Sequence, residues 1–392
     1  MKDKIFLLAA AALALSASAA RAEDAAAPAP AAAPAAPSLM PSMAGPLAAN
    51  PNPWFYDAGS FGKIYVTGAL SGVAPSQSNP TSNDHHGVGD FSNAMLAVQK
   101  PDGVFQFYVQ GGLYSTPDLG TPYFRADRLT DNTFNFLEQG YVKIAPTDSF
   151  NVEAGKLPTL FGAEYTFSYE NMNIERGLLW NQENAVNRGV QANYTYGPVA
   201  FALSWNDGFY SNRYDWISGS AAWTINSENS VSLVAGGNVN HTSFTDFATP
   251  LAQNNGQIYD LIYTWNHGPW TLNPYVQYTY VPRDTGVGIA DNASTFGAAV
   301  LGKYTFNPNW SLAGRAEYIG ANGSAASPNL LYGQKSNAWS ATITPTYQYK
   351  LLFGRAEASY VHAGNITAGS AFGSAGNDRS QARFLVEAGT LF

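Results

Sequence analysis

Apolar and polar side chains alternate with a period of two along most of the chain after Phe61. In VAFALSWN (residues 199–206), the valine, phenylalanine, leucine and tryptophan fall on one face, whereas the alanines, serine and asparagine fall on the other. The same alternation runs through ISGSAAWTI (217–225) and WSATITPTYQY (339–349). Successive side chains of a β-strand point to opposite faces of the sheet, so the pattern predicts strands with one apolar and one polar face.

The few charged residues of these segments follow the polar face. WSLAGRAEY (310–318) contains Arg315 and Glu317, and the motif GRAE recurs later with Arg355 and Glu357. In both segments the arginine and the glutamate alternate with apolar residues. The period of two therefore places all four charges on the face opposite the aromatic side chains.

The alternation delimits sixteen candidate strands, which are separated by segments rich in turn residues. The links after the even-numbered candidates are tight, whereas those after the odd-numbered candidates are longer. The candidates are residues 62–73, 92–100, 104–115, 134–145, 150–157, 188–196, 199–207, 215–225, 230–241, 256–266, 270–281, 294–306, 310–319, 337–349, 352–363 and 381–392.

The two faces point to a membrane setting rather than to a soluble sandwich. The polar faces are small and uncharged over long stretches, which suits a wet interior better than a surface in bulk water. Aromatic residues gather near the strand ends, as Trp270, Tyr278 and Tyr280 do in WTLNPYVQYTY. Such girdles, together with short turns on one side and long loops on the other, are typical of outer-membrane barrels.

The predicted fold is therefore all-β: a transmembrane antiparallel up-and-down β-barrel of about 16 strands. Short periplasmic turns and long extracellular loops connect the strands, and the even count leaves both termini on the periplasmic side. A closed barrel satisfies every backbone hydrogen bond in lipid. Proline lacks a backbone donor, so Pro274 and Pro345 are the weakest points of the strand assignment.

The N-terminus has the pattern of a secretory signal. Lys2 and Lys4 precede an apolar run that ends near a small-x-small site at Ala20–Ala22, so residues 1–22 are predicted to be a signal peptide. Residues 23–60 are predicted to be an Ala/Pro-rich periplasmic tail, and residues 61–392 the barrel. Cleavage removes three of the 20 Lys+Arg and one of the 28 Asp+Glu, so the mature chain carries a net charge of −10.

Composition narrows the class further. Charged residues make up only 12% of the chain, about half the usual share, and aromatic residues reach 14%. The acidic balance and the lack of a basic stripe exclude nucleic acid as a partner. There is no cysteine, so disulfides and thiolate metal sites are excluded.

One region carries a family resemblance: EAGKLPTLFGAEY (153–165), followed by NMNIERGLLWNQENAVNRGVQANYTYGPVAFALSWNDGFY (171–210). On these residues the chain resembles the putative β-barrel porin-2 (OmpL-like) family of bacterial outer-membrane proteins, over the barrel from about Phe61 onward. The resemblance implies a pore without naming its solute. Like most substrates of the barrel-assembly machinery, the chain ends in phenylalanine, and Phe392 is the predicted assembly signal; VEAGTLF nevertheless lacks an aromatic residue two positions earlier.

The link at about 158–187 is long for a hairpin, and such loops are usually functional. It contains apolar side chains that need a packing partner. A sixteen-stranded barrel leaves an aqueous channel, so we expect this loop to fold inward and narrow it; an external cap or a trimer contact is the alternative. The predicted constriction and selectivity residues are Glu164, Glu170, Glu175, Arg176, Glu183 and Arg188.

The wall of the channel has a second charged group. The alternation assigns Glu153, Asp260 and Lys303 to the lumen as well. Mutual neutralisation in a wet lumen and a transverse field at the constriction both fit such a group. The predicted wall residues are Arg315, Glu317, Arg355, Glu357, Arg383 and Glu387.

No spacing of residues indicates catalysis. Asp84, His85 and His86 adjoin one another, but they fit a solvated polar loop better than a metal site. We therefore expect no enzyme activity, no cofactor and no metal. The expected function is an outer-membrane porin, a passive diffusion channel for small hydrophilic solutes or ions with a modest cation preference.

Two other classes remain open: a non-conducting structural or adhesive surface barrel that binds a partner through its long loops, and a barrel enzyme. Conductance and hydrolysis separate them. The expected partners are outer-membrane lipid, the solutes, the barrel-assembly machinery and two further copies of the chain in a homotrimer.

Overall fold

The computed structural model of the chain describes residues 39–41, 43, 45–82 and 84–392. The predicted signal peptide, residues 1–22, and the first part of the predicted tail lie outside the described residues.

The described residues form seventeen strands, of which the first is short. Fifteen links separate the other sixteen. The strands are β1 (Trp54–Asp57), β2 (Lys63–Gln77), β3 (Asp90–Lys100), β4 (Phe105–Tyr114), β5 (Gln139–Thr147), β6 (Phe150–Pro158), β7 (Val186–Tyr196), β8 (Val199–Asn206), β9 (Trp216–Thr224), β10 (Asn229–Asn238), β11 (Gln257–His267), β12 (Trp270–Val281), β13 (Ala293–Asn307), β14 (Trp310–Gly323), β15 (Asn337–Tyr349), β16 (Leu352–Gly364) and β17 (Ser380–Leu391).

Strands β2 to β17 form a closed barrel. Each strand pairs antiparallel with the next, and β17 pairs with β2 in the register that places Leu391 opposite Ala69. The short β1 pairs with the first residues of β2, with Trp54 opposite Val66, at the end that β17 does not reach. The prediction of an antiparallel sixteen-stranded barrel is confirmed.

Link lengths alternate as the sequence indicated. The short links are 101–104, 148–149, 197–198, 225–228, 268–269, 308–309 and 350–351. The longer links lie at the other end of the barrel, and two of them contain the helices α1 (Ala126–Asn132) and α2 (Leu251–Asn254). Among the described residues, no helix has the length and hydropathy needed to cross a membrane.

Strand β15 shows how the two faces differ. Trp339 and Ile343 are exposed on the outer face, whereas Ser340, Thr342 and Thr344 are buried on the inner face. Aromatic residues cluster near the short links, where the rings of Trp310 and Tyr347 lie 4.9 Å apart and those of Trp270 and Tyr304 lie 4.6 Å apart. The outer surface is therefore apolar with an aromatic girdle, as a bilayer requires.

Pro274 and Pro345 both lie within strands, β12 and β15. Each pairs regularly on one side, opposite Val300 and Leu312 respectively. On the other side the ladder skips the proline, between the pairs Ile262–Tyr275 and Trp265–Leu272 in one case. The missing backbone donor of proline thus interrupts the hydrogen-bond ladder locally on one side, and the strand continues beyond it.

Candidate functional site

The barrel is filled mainly by the link between β6 and β7, residues 159–185, which we call the inner loop. Its apolar side chains are buried: Phe167 and Leu179 have 0% exposure. Leu178 and Leu179 pack against Ala299 and Ile319 of the barrel wall. Two 3₁₀ turns, Ser168–Glu170 and Trp180–Gln182, compact the loop. The structure thus places the inner loop inside the lumen.

Arg315 and Glu317 of β14 attach the middle of the inner loop to the wall. The Arg315 guanidinium donates to Glu164 Oε1 at 2.7 Å and to the carbonyl oxygen of Glu175 at 2.6 Å. Its Nε donates to Glu317 Oε2 at 3.1 Å. Glu317 in turn accepts the backbone N–H of Leu178 at 3.0 Å. One wall arginine therefore joins two loop residues, and its neighbouring glutamate holds a third.

A glycine makes this close approach possible. A Cβ at Gly177 would lie 2.0 Å from Glu317 Oε1, so a side chain there would displace the loop from β14. The Gly177 N–H also donates to Glu164 Oε2 at 2.8 Å. Glu164 is thus held both by the wall arginine and by the loop's own backbone.

Arg355 and Glu357 of β16 repeat the arrangement for the preceding part of the loop. The Arg355 guanidinium donates to the carbonyl oxygens of Ser168 and Met172, each at 2.8 Å. Glu357 accepts the backbone N–H groups of Ile174 at 2.5 Å and of Glu175 at 3.0 Å. The repeated GRAE motif therefore supplies a donor and an acceptor to the loop backbone from each of two strands.

Strand β17 completes the wall. Glu387 accepts from the Ser168 hydroxyl at 2.6 Å and lies 3.3 Å from the Arg355 guanidinium. Arg383 donates to Glu175 Oε1 at 2.8 Å. The six predicted wall residues are all buried and all lie in the lumen. The charges of Glu164 and Glu175 are paired with wall arginines, which leaves the inner loop fixed to one side of the barrel.

Arg176 turns away from this wall. Its Nε donates to Asp118 Oδ1 at 2.7 Å, and its other nitrogens donate to the carbonyl oxygens of Pro117 and Thr166. Asp118 lies in the link between β4 and β5, so this link also folds over the inner loop. Sequence reasoning missed Asp118, because nothing local marks it as the partner of an arginine 58 positions away.

A cavity of about 340 Å³ remains beside the inner loop, near β11 and β12. Among the described residues that line it there is no lysine or arginine, whereas two carboxylates are present. The cavity lining therefore combines two carboxylates with hydroxyl, amide and apolar groups. The loop contributes Thr159, Phe161, Glu164, Thr166 and Glu170, and the strands contribute Gln139, Ile262, Thr264 and Asn273.

Two loop carboxylates have no cationic partner within ion-pair distance among the described residues: Glu170 and Glu183. Burial raises the pKa of Glu170 to about 8, although its Oε2 accepts the Phe167 N–H at 3.0 Å. Burial and the nearby Asp260 raise the pKa of Glu183 well above its usual value. A third such residue, Glu138, was missed by sequence reasoning; both its oxygens are buried without a hydrogen-bond partner. Unlike Glu164 and Glu175, these three carboxyls form no ion pair among the described residues.

Part of the predicted tail, including Met40, Gly45 and Ala48, lies in the lumen near the short links. Met40 exchanges two hydrogen bonds with the side chain of Gln99 on β3, at 2.8 and 2.7 Å. Ala48 does the same with Gln348 on β15, at 2.8 and 2.9 Å. Gly45 accepts from Lys303 on β13 and donates to the carbonyl oxygen of Glu170. Met40, Gly45 and Ala48 therefore attach the tail to three strands at this end of the barrel, which the sequence did not predict.

Two of the predicted site residues, Arg188 and Phe392, lie away from the inner loop. The structure does not bring Arg188 to the inner-loop carboxylates: it pairs with Asp207 at 2.7 Å, and its guanidinium stacks on the Tyr210 ring at 3.9 Å. Phe392 pairs with Gly68 of β2 through two backbone hydrogen bonds, at 2.8 and 3.0 Å. Among the described residues, no group of three or more His, Asp or Glu is arranged to hold a metal ion.

Comparison with known proteins agrees with this architecture. The sequence matches the family described as putative beta-barrel porin-2, OmpL-like, over residues 63–392, which is the whole closed barrel. The chain belongs to this family. No curated protein matches the sequence. The resemblance drawn from residues 153–210 is thus confirmed, and the family and the fold are those of outer-membrane porins.

Solved structures share the fold of this porin-2 family member at low sequence identity. The anion-selective porin from Comamonas acidovorans has a TM-score of 0.58 and 13% identity, covering 84% of this chain and 99% of that one. Outer-membrane OmpT of Vibrio cholerae has a TM-score of 0.56 and 11% identity, covering 87% and 100%. The outer-membrane channel DcaP of Acinetobacter baumannii has a TM-score of 0.55 and 12% identity, covering 84% and 97%.

Proposed function

We propose that the protein is a passive diffusion channel of the outer membrane for small hydrophilic solutes and ions, with a modest cation preference. Solutes cross the narrow part of the lumen between the inner loop and the β11–β12 wall. Selection rests on size and on charge, and requires no cofactor and no turnover.

The observation that carries the proposal is the asymmetric filling of the lumen. The arginines of β14, β16 and β17 hold the inner loop to one half of the barrel. The cavity of about 340 Å³ lies beside the loop, near β11 and β12. No lysine or arginine among the described lining residues repels cations, and Glu170 raises their local concentration when it ionises, while the threonines and amides replace the hydration of small polar solutes.

The N-terminal tail narrows the proposed pathway. Met40, Gly45 and Ala48 bond to three strands at the short-link end, which faces the periplasm in outer-membrane barrels. Met40 and Pro41 also line the cavity. We infer that this conformation is a closed or low-conductance state, and that passage requires the tail to move aside.

Because the inner loop and the tail fill much of the lumen, a second candidate function is also favoured: a non-conducting surface barrel that binds a partner through its long links. Single-channel recording in planar bilayers with asymmetric KCl separates the two, because it tests the pore, its size and the sign of its charge together. The proposed channel gives discrete conductance steps and a reversal potential on the cation-selective side. Absence of conductance both in the full mature chain and in a chain lacking residues 39–50 contradicts the channel.

We also propose that the protein is inserted by the barrel-assembly machinery and forms a homotrimer. The outer surface supplies the apolar band that lipid or a neighbouring copy would cover. One of the fold neighbours, OmpT of Vibrio cholerae, has a structure described as a trimer form. Cross-linking in native membranes, followed by gel electrophoresis, measures the number of copies.

A further inference from the structure

Glu183 of the inner loop and Asp260 of β11 meet at one end of the loop. The Gly162 N–H donates to Asp260 Oδ2 at 3.0 Å. A Cβ at Gly162 would lie 1.9 Å from Glu183 Oε2, so this carboxylate rests directly against the glycine, whose φ is +76°. Two carboxylates that are far apart in sequence are thus brought to the same glycine.

Neither carboxylate is neutralised by a base. Within the described residues, neither Glu183 nor Asp260 takes part in an ion pair, although both are more than nine-tenths buried. Their exposed fractions are 8% and 1%. Two adjacent buried carboxylates do not both remain ionised without a positive partner, because neither water nor a base compensates them. A proton shared by the pair or a bound cation would resolve this conflict.

Unpartnered oxygen atoms surround the same place. Glu183 Oε2 and Asp260 Oδ1 are buried without a hydrogen-bond partner, and so are Gln277 Oε1 and the Tyr275 hydroxyl. Gln277 belongs to the cluster, because its amide donates to Glu183 Oε1 at 2.7 Å and it stands opposite Asp260 in the β11–β12 register. Tyr275 is the next inward-facing residue on β12. Buried polar groups normally find a partner, so four orphaned oxygens in one place call for a ligand.

We propose that Glu183 and Asp260, with neutral oxygens of Gln277 and Tyr275, form a binding site for a hard metal cation. The donor set consists of oxygen alone, which suits Ca²⁺; its coordination tolerates irregular arrangements of carboxylate, amide and water oxygens. Gly162 also lines the cavity of about 340 Å³, which supplies an entry path and room for water ligands.

Such a cation has a structural consequence. Gly162 lies near the start of the inner loop and Glu183 near its end, while Asp260 belongs to the wall. A cation between them closes the loop on itself and ties both of its ends to β11. The cation site therefore strengthens the loop's attachment on the side where the wall arginines do not reach.

The test is equilibrium binding of ⁴⁵Ca²⁺ to the full mature chain, folded in detergent and checked by the gel shift that unfolding on boiling produces. We expect one Ca²⁺ per chain, with affinity weakened by about tenfold or more in both Glu183→Gln and Asp260→Asn. Glu153→Gln is the matched control, because the inward carboxylate of Glu153 already has an ion-pair partner in Lys143 at 3.4 Å. We expect this variant to bind Ca²⁺ with the wild-type affinity.

A second readout follows the loop. Arg176 is the only Lys or Arg between residues 159 and 185, so trypsin cleavage there reports release of the loop. We expect a chelator to increase cleavage in the wild type and to have no further effect in Asp260→Asn. Absence of saturable Ca²⁺ binding in the wild type, or binding unaltered in both variants, overturns the site and leaves the shared proton. Neither measurement needs a conducting pore, so the result is independent of the proposed channel.

Discussion

Arg315 of β14 and Glu164 of the inner loop form an ion pair of 2.7 Å in which neither side chain is exposed by more than 1%. The same guanidinium binds Glu317 and the carbonyl oxygen of Glu175. The pair therefore forms the centre of the attachment between the loop and the wall. In a buried network of this kind, removal of one member leaves the others uncompensated, at a cost of about 3–5 kcal/mol.

Arg315→Ala is expected to release the inner loop. Glu164 and Glu317 lose their cationic partner, so the inward conformation is weakened by about 3–5 kcal/mol. Trypsin cleavage at Arg176, together with the conductance, measures the release. We expect faster cleavage and larger, noisier conductance steps than in the wild type. Arg283→Ala removes an exposed arginine from the link between β12 and β13 and serves as control. Equal protection of Arg176 in both variants would show that the wall arginine does not hold the loop.

The tail segment that enters the lumen is expected to restrict the conductance. Deletion of residues 39–50 removes the segment that bonds to Gln99, Gln348 and Lys303, and we expect a higher conductance. Deletion of residues 23–37 shortens the tail by a similar length but leaves those contacts, so its conductance stays at the wild-type value. The double substitution Gln99→Ala and Gln348→Ala should act in the same direction as the first deletion. Indistinguishable conductance in all four proteins would place the tail outside the pathway of the ions.

The pH dependence of selectivity follows from Glu170. Burial raises its pKa to about 8, so this carboxyl is neutral at pH 6 and charged at pH 9.5. A raised carboxyl pKa stabilises the buried conformation at low pH, and that contribution is lost as the pH rises through about 8. We therefore expect both conductance and cation preference to increase between pH 6 and 9.5. Reversal potentials in asymmetric KCl measure this change.

The control for that titration is Glu170→Gln, which cannot ionise. It should behave like the wild type at pH 6 and show no step near pH 8. Glu164→Gln is a poor substitute, because Glu164 is paired with Arg315 and its loss frees an arginine. If the increase in conductance and cation preference near pH 8 persists in Glu170→Gln, another carboxyl is responsible. Glu138 is then the first candidate, because both of its carboxyl oxygens are buried without a hydrogen-bond partner.

Deletion of Phe392 is expected to reduce insertion into the outer membrane. Its backbone makes two hydrogen bonds to Gly68 where β17 closes on β2, and the residue is 40% exposed. Export should be unaffected, because the predicted signal peptide is at the other end of the chain. Fractionation of membranes and periplasm measures both steps. Phe392→Tyr keeps an aromatic terminus and should insert normally; normal insertion of the deletion would leave the terminal residue without a role in assembly.

The sequence by itself determined the barrel and the face on which most strand residues lie, although the candidate strand 134–145 begins in the link before β5. The period of two is a local property, so Arg315 and Glu317 could be assigned to the lumen from their immediate neighbours. The alternation of short and long links likewise revealed sixteen strands, and a bilayer admits only a closed sheet. Even the prolines of β12 and β15 were identified as weak points, since their missing donor is a property of the residue.

Only the tertiary structure decided which of these groups meet. Glu164 contacts Arg315 and Glu183 approaches Asp260 because closure of the barrel brings distant strands around one loop. The entry of Met40 and Ala48 into the lumen depends on the side-chain amides of Gln99 and Gln348, which no local pattern of the sequence marks. The loop contains four glutamates, all of which the sequence assigned to the constriction. The fold pairs two of them with arginines and leaves the other two without an ion pair among the described residues, because partners are chosen by distance in space and not by position along the chain.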